Sequence, residues 1–178
     1  MKKSGKLLSL VLLLSWSISV NGQSSHQGTV YLFLSDACRI CQEMTPYIKE
    51  VFNAYSESFD FVLVFPNLSS ETRDIDLFLE KYDVNINYVT DYDKSLTTKM
   101  NAAITPEAVV FNHTSNCLLY QGRINDLYHQ PGKRRQHIQH HDLRNALFNI
   151  KHGIPQEIHN TPAIGCLINF ADKTDEKY

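Results

Sequence analysis

The stretch Val30-Tyr-Leu-Phe-Leu34-Ser-Asp-Ala-Cys38-Arg-Ile-Cys41-Gln-Glu-Met-Thr-Pro46 decides how the rest of the chain is read. Val30 to Leu34 is a continuous apolar run between Gly28 and Ser35, the pattern of a strand buried on both faces. Ile40, Met44, Tyr47, Ile48, Val51, Phe52 and Tyr55 follow at helical spacing and predict an amphipathic helix of about four turns. Cys38 falls at the start of that helix and Cys41 one turn in. Unpaired N–H groups at a helix N-terminus favour a thiolate, so the pattern predicts Cys38 as the attacking thiol, more exposed and of lowered pKa, with Cys41 resolving. Arg39 is a candidate source of further positive potential. A structural disulfide is the competing reading, although so small a loop gains little entropy. No second C-x-x-C or C-x-x-H completes a zinc site, and Gln42 after Cys41 excludes c-type haem attachment.

Working outward, Phe59 to Phe65 reads as a second buried strand. Ser69 or Ser70 is placed to cap a helix carrying Ile75, Phe78, Leu79 and Tyr82. Ile86 to Thr90 reads as a short extended piece, and Asp93 as the cap of a third helix to about Asn101. Thr105-Pro106 precedes a strand, Glu107 to Asn112, which a polar turn joins to Cys117–Gln121 as a hairpin. Residues 125–139 read as a polar loop. Asp142 opens a last helix, with Leu143, Ala146, Leu147 and Ile150 inward, closed by Gly153 and Pro155. Ile164, Cys166, Ile168 and Phe170 alternate as a strand face packed on something apolar. Two buried strands joined by a helix require a parallel crossover. The hairpin then adds antiparallel strands, giving an α/β fold with a mixed central sheet and helices on both faces.

Composition bounds the function. The N-terminus has Lys2, Lys3 and Lys6, then a mostly apolar run from Leu7 to Val20, then the small residue Gly22. This predicts a secretory signal peptide over 1–22, too short and serine-rich to be a retained span. The expected location is secreted or periplasmic, with no stable membrane span after cleavage. The remaining chain holds 14 Lys and Arg against 19 Asp and Glu, a formal charge of −5, with no basic stripe for nucleic acid. A domain over 23–170 is long enough to fold without disulfide staples, and 171–178 reads as a frayed tail.

These residues together resemble the thioredoxin superfamily in its redoxin (peroxiredoxin-like, alkyl hydroperoxide reductase-like) branch. The match covers about residues 29–153. Cys38-Arg-Ile-Cys41 follows the first core strand, and Pro46 matches the helix-kinking proline. Ile104-Thr105-Pro106 matches the cis-proline segment, and residues 67–92 match the redoxin-type insertion. The resemblance implies a three-layer sandwich. It also implies a cis Pro106 lying against the Cys38/Cys41 disulfide, with the backbone at Thr105 pairing with an extended substrate chain. Thioredoxins carry Trp before the first cysteine and a buried acid six residues before it; here these are Ala37 and Leu32. Glu107 is the nearest candidate to replace that acid as proton acceptor for Cys41, against a plain solvated or N–H-bonded role.

The function so implied is an exported thiol-disulfide oxidoreductase without cofactor or metal. Its partners would be protein thiols and disulfides and a redox partner that resets the pair. Two alternatives remain. One is an antioxidant peroxidase of the peroxiredoxin-like group, for which Ser35 stands at the hydroxyl position but Tyr31 where proline is required. The other is a copper-binding protein like the Sco-type chaperones, which usually carry a C-x-x-x-C one residue longer. Cys166 reads first as a small buried hydrophobe, with a third redox thiol or a Cys117–Cys166 bridge as alternatives. Cys117 reads as structural. His137, His140 and His141 are candidate metal ligands against plain exposure, and Arg123 a candidate to orient a thiolate against a surface ion pair.

Overall fold

The computed structural model describes residues 26–155 and 161–171; the expected signal peptide lies outside them. Its centre is a five-stranded sheet in the order β3-β2-β1-β5-β6. The strands are β1 (Thr29–Phe33), β2 (Asp60–Phe65), β3 (Tyr88–Thr90), β5 (Glu107–Asn112) and β6 (Cys117–Gly122). β1, β2 and β3 are parallel, while β5 runs antiparallel to both β1 and β6. The sheet is mixed, as expected.

Period-two alternation divides the core between the two faces. Val30, Leu32 and Leu34, with Phe61, Leu63, Phe65, Ala108 and Val110, face one cluster. Onto it pack α1 (Arg39–Tyr55), α2 (Thr72–Lys81) and α4 (Asp142–Lys151) through residues such as Met44, Ile48, Ile75, Phe78, Leu143 and Leu147. Tyr31, Phe33, Val64 and Val109 face the other cluster, closed by Met100, Ala102 and Ile168. There α3 (Ser95–Lys99) contributes Leu96.

In α1 the buried positions Cys41, Met44, Thr45, Ile48, Val51 and Tyr55 fall on one stripe. Pro46 sits inside it. Proline has no N–H to offer the carbonyl four residues back. The Thr45 hydroxyl takes that carbonyl instead, donating to Gln42 O at 2.8 Å.

Three local expectations are corrected. Glu71, not Ser69 or Ser70, stands at the cap of α2, without a side-chain hydrogen bond. Ser70 is wholly buried and donates to the carboxylate of Asp36. The first turn of α3 is capped mainly by Asp91, whose buried carboxylate accepts from Leu96 N, Thr97 N and the Ser95 and Thr97 hydroxyls. Asp93 accepts Ser95 N–H at 3.1 Å. The polar stretch 125–139 contains a small hairpin of β7 (Tyr128–Gln130) and β8 (Lys133–Arg134). Pro131-Gly132 forms its turn, with Gly132 at φ +72° where only glycine is at ease. Two residues, Ile104–Thr105 (β4), pair antiparallel with Cys166–Leu167 (β9) outside the main sheet.

Candidate functional site

Beyond β1 the chain runs through Leu34 and buried Ser35 and turns at Asp36 and Ala37, so that Cys38 becomes the N-cap of α1. Gln42 Nε2 donates to Asp36 O at 2.8 Å, and the Ser70 hydroxyl holds the Asp36 carboxylate. Neither Gln42 nor Ser70 stands out in the sequence as a turn-holding residue. Cys41 is completely buried and receives Ser35 N–H at 3.4 Å. Cys38 touches the Thr105 carbonyl, Sγ to O 3.5 Å. All four cysteines are free thiols.

The two thiols are poised very differently. Cys38 is pulled from 9.0 down to about 5, first by the hydrogen bond from the Cys41 thiol. Burial opposes this, and the Cys166 thiol and the N–H groups of Cys41 and Ile40 add to it. Burial pushes Cys41 well above its usual range, with the Cys38 thiolate acting in the same direction. The site therefore holds one thiolate against a protonated neighbour, the arrangement nucleophilic attack followed by resolution requires. The lowered pKa agrees with expectation, and Cys38 is the more exposed of the pair as expected, although at 3% against 0% for Cys41 both thiols are buried. Arg39 points to solvent and pairs with Glu43 at 2.9 Å, which neutralises the charge expected to act on Cys38.

The Thr105-Pro106 bond is cis. Thr105 is wholly buried and lies directly against Cys38. Glu107 is buried too, but β5 alternation puts it on the face of Val109, across the sheet from Cys41. Its Oε2 accepts from Ala103 N at 2.9 Å and its Oε1 from Gln121 Nε2 at 3.0 Å. Of the two readings the sequence left open, it is the N–H-bonded acid: it holds the backbone before β4 and is no acceptor beside Cys41. Tyr31 likewise faces away from the thiols and contacts His113 Nε2 at 3.0 Å.

Cys166 departs furthest from expectation. It is exposed instead of buried, and its sulfur lies 2.7 Å from Cys38 Sγ. Partial desolvation of its sulfur where it meets Cys38, with the hydrogen bond to Cys38 and its charge, pushes the Cys166 thiol up to about 11. Cys117 is exposed and donates to Ser115 O, and both it and Cys166 are free, so the alternative of a Cys117–Cys166 bridge is not formed. The alternating face expected over 164–170 is realised only in part: Cys166–Leu167 form the strand, Ile168 is buried and Phe170 is exposed, and the strand's partner, β4, is set by tertiary contact. Arg123 forms a two-point ion pair with Asp142 at the start of α4, 2.8 and 3.2 Å, a structural role in place of one at the thiols. Among the described residues, no group of three or more His, Cys, Asp or Glu side chains comes together as a metal site.

No sequence-family profile matches the chain, and no curated protein matches it in sequence. Solved structures do. A hypothetical protein from Sinorhizobium meliloti superposes with a TM-score of 0.70 at 20% identity, over 82% of this chain and 80% of that one. An uncharacterized conserved protein from Geobacillus kaustophilus gives 0.66 at 21% identity, over 83% and 79%. The thioredoxin domain of a thiol-disulfide oxidoreductase from Bacteroides vulgatus gives 0.50 at 14% identity, over 74% and 82%. With its mixed sheet, its cysteine pair at the head of α1 and its cis-proline beside them, this chain has the thioredoxin-like fold.

Proposed function

We propose that the protein is an exported thiol-disulfide oxidoreductase in which Cys38 attacks and Cys41 resolves. The observation that carries this reading is the Cys38 thiolate at the N-cap of α1, touching the Thr105 carbonyl, with protonated Cys41 one turn inside. Thr105 and Pro106 form the edge on which a substrate chain would lie. Glu107 takes no proton in this scheme; it holds the 103–104 backbone behind that edge.

In the reducing direction, the Cys38 thiolate attacks one sulfur of a substrate disulfide. The substrate S–S bond breaks, and its second sulfur leaves as a thiolate that takes up a proton. Cys41 then gives up its proton and attacks Cys38 Sγ, releasing the first substrate sulfur and closing the Cys38–Cys41 disulfide. Two electrons pass from the dithiol to the substrate, and the reverse sequence oxidises a substrate dithiol. Export is supported by the basic-apolar-small order of residues 1–22. No described helix is long and apolar enough to cross a membrane.

Cys41→Ser should trap mixed disulfides through Cys38 when the protein meets disulfide-bonded proteins, and Cys38→Ser should abolish exchange. The reading is overturned if Cys41→Ser forms no thiol-sensitive adducts and Cys38→Ser exchanges disulfides as fast as the parent.

A further inference from the structure

Residues 161–170 form a strap across the thiol site. Its entry is fixed at Thr161, which bridges to Gly122, accepts Arg123 N–H at 3.1 Å and contacts the Tyr120 hydroxyl at 3.0 Å. β9 then pairs antiparallel with β4, with Thr105 opposite Cys166 and Ile104 opposite Leu167. The Thr105 hydroxyl donates to Cys166 O, and Ile168 N donates to Ala103 O at 3.0 Å. Ile168 is buried in the second core cluster, and Asn169 N donates to Asn67 Oδ1 at 2.9 Å. At Gly165 the strap comes so close that a Cβ would stand 2.0 Å from the Thr105 carbonyl oxygen. Residues that pack, pair and leave space in this way make the strap a built part of the fold.

The strap uses the backbone edge at Thr105 that an extended substrate chain would need, and it delivers a cysteine to Cys38. We propose that Cys166 is a third redox-active thiol, which forms a disulfide with Cys38 while the strap occupies the substrate's own strand position. This rests on the reading of Cys38 as the nucleophile. The strap is an internal counterpart of the substrate, and the presence of both at Thr105 is mutually exclusive.

The chemistry needs an external disulfide as oxidant, for which glutathione disulfide serves. With the strap lifted, the Cys38 thiolate attacks it, forming a Cys38–glutathione mixed disulfide and releasing one glutathione thiolate. With the strap docked again, Cys166 loses its proton and attacks Cys38 Sγ. The second glutathione thiolate leaves, and the Cys38–Cys166 bond closes. The Cys38 thiolate and the Cys166 thiol together have lost two electrons and one proton; glutathione disulfide has gained the electrons, and one of the two released glutathione thiolates takes up the proton. Cys41, by attacking Cys38 Sγ in turn, moves the disulfide inward and frees Cys166 as a thiol.

The test uses the chain without its leader, carrying Cys41→Ser, incubated with glutathione disulfide, quenched in acid, alkylated and mapped by mass spectrometry. The expected product joins the Cys38 and Cys166 peptides, while Cys117 is alkylated. Cys38 present only as a glutathione adduct, with Cys166 alkylated, overturns the proposal. A second variant adds Gly165→Val, whose side chain cannot fit against Thr105. It should lose the Cys38–Cys166 product and raise Cys38 alkylation by roughly tenfold or more, as expected when a locally docked segment is released. An unchanged yield of that disulfide overturns the docked geometry. The two readings fail separately: a parent protein inactive toward protein disulfides, whose Cys41→Ser variant still forms Cys38–Cys166 with glutathione disulfide, removes only the oxidoreductase. An active parent with no Cys38–Cys166 product removes only the third thiol.

Discussion

The ionisation of Cys38 gives a prediction whose shape is worked directly from the site. With a pKa of about 5, Cys38 is almost wholly thiolate at neutral pH, because the Cys41 thiol, the Cys166 thiol and two helix N–H groups all donate to it. Titrating the reduced protein with iodoacetamide and reading each cysteine by peptide mapping gives a rate for Cys38 alone. That rate should be flat above roughly pH 6 and fall about tenfold between pH 7 and pH 4, as the thiolate fraction drops from ~0.99 to ~0.09. A thiol at the ordinary value of 9.0 would instead gain ~50-fold between pH 7 and pH 9. The absolute rate at one pH does not separate the cases. Lowering the pKa by about four units costs roughly 40- to 100-fold in intrinsic nucleophilicity, nearly cancelling the gain in thiolate. Closure by the strap scales the Cys38 rate at every pH but leaves the inflection in place, since Cys166 titrates only near 11. An inflection for Cys38 above about pH 8 would refute the reasoning. It would mean that burial, which opposes ionisation here, outweighs the donors.

Other outcomes follow from particular contacts. Asp91→Ala removes a buried carboxylate that accepts two backbone N–H groups and two hydroxyls, and should cost roughly 2–3 kcal/mol in urea unfolding; a loss under about 0.5 kcal/mol would contradict that capping role. Phe33→Ala empties a fully buried position in the second core cluster and should cost roughly 3–5 kcal/mol by the same measurement, with the cavity adding to lost transfer energy. Gly122→Ala places a Cβ 2.5 Å from Thr161 O at a φ of +152°. Displacing the strap's entry in this way should speed Cys38 alkylation while leaving Cys117 alkylation unchanged; equal rates at Cys38 would show that Thr161 does not hold the strap.

The order of elements, the mixed sheet and the cysteine pair at the head of α1 were legible in the chain. Local physics carries them: buried strands read as apolar runs and α1 as a stripe of period 3.6. Caps were less legible. Any nearby Ser or Asp fits a cap equally well by sequence, and Asp91 wins over Asp93 only because the fold buries it beside the first turn of α3. Glu107 shows the same limit. Its neighbour Pro106 places it next to the thiols along the chain, but the pleat turns it to the opposite face, and residues i and i+1 of a strand never share one.

Sequence by itself determined that Cys38 sits where helix N–H groups meet a sulfur, because four residues and one helical turn suffice to fix that relation. It also marked an extended segment over 164–170, of which Cys166–Leu167 form the strand. Tertiary structure alone decided which edge that strand takes. Pairing partners far apart in sequence are chosen by packing of the whole core, here by Ile168 entering the second cluster and Gly165 clearing Thr105. That choice covers Cys38 and sets Cys166 against it, across a separation of 128 residues that no local pattern spans.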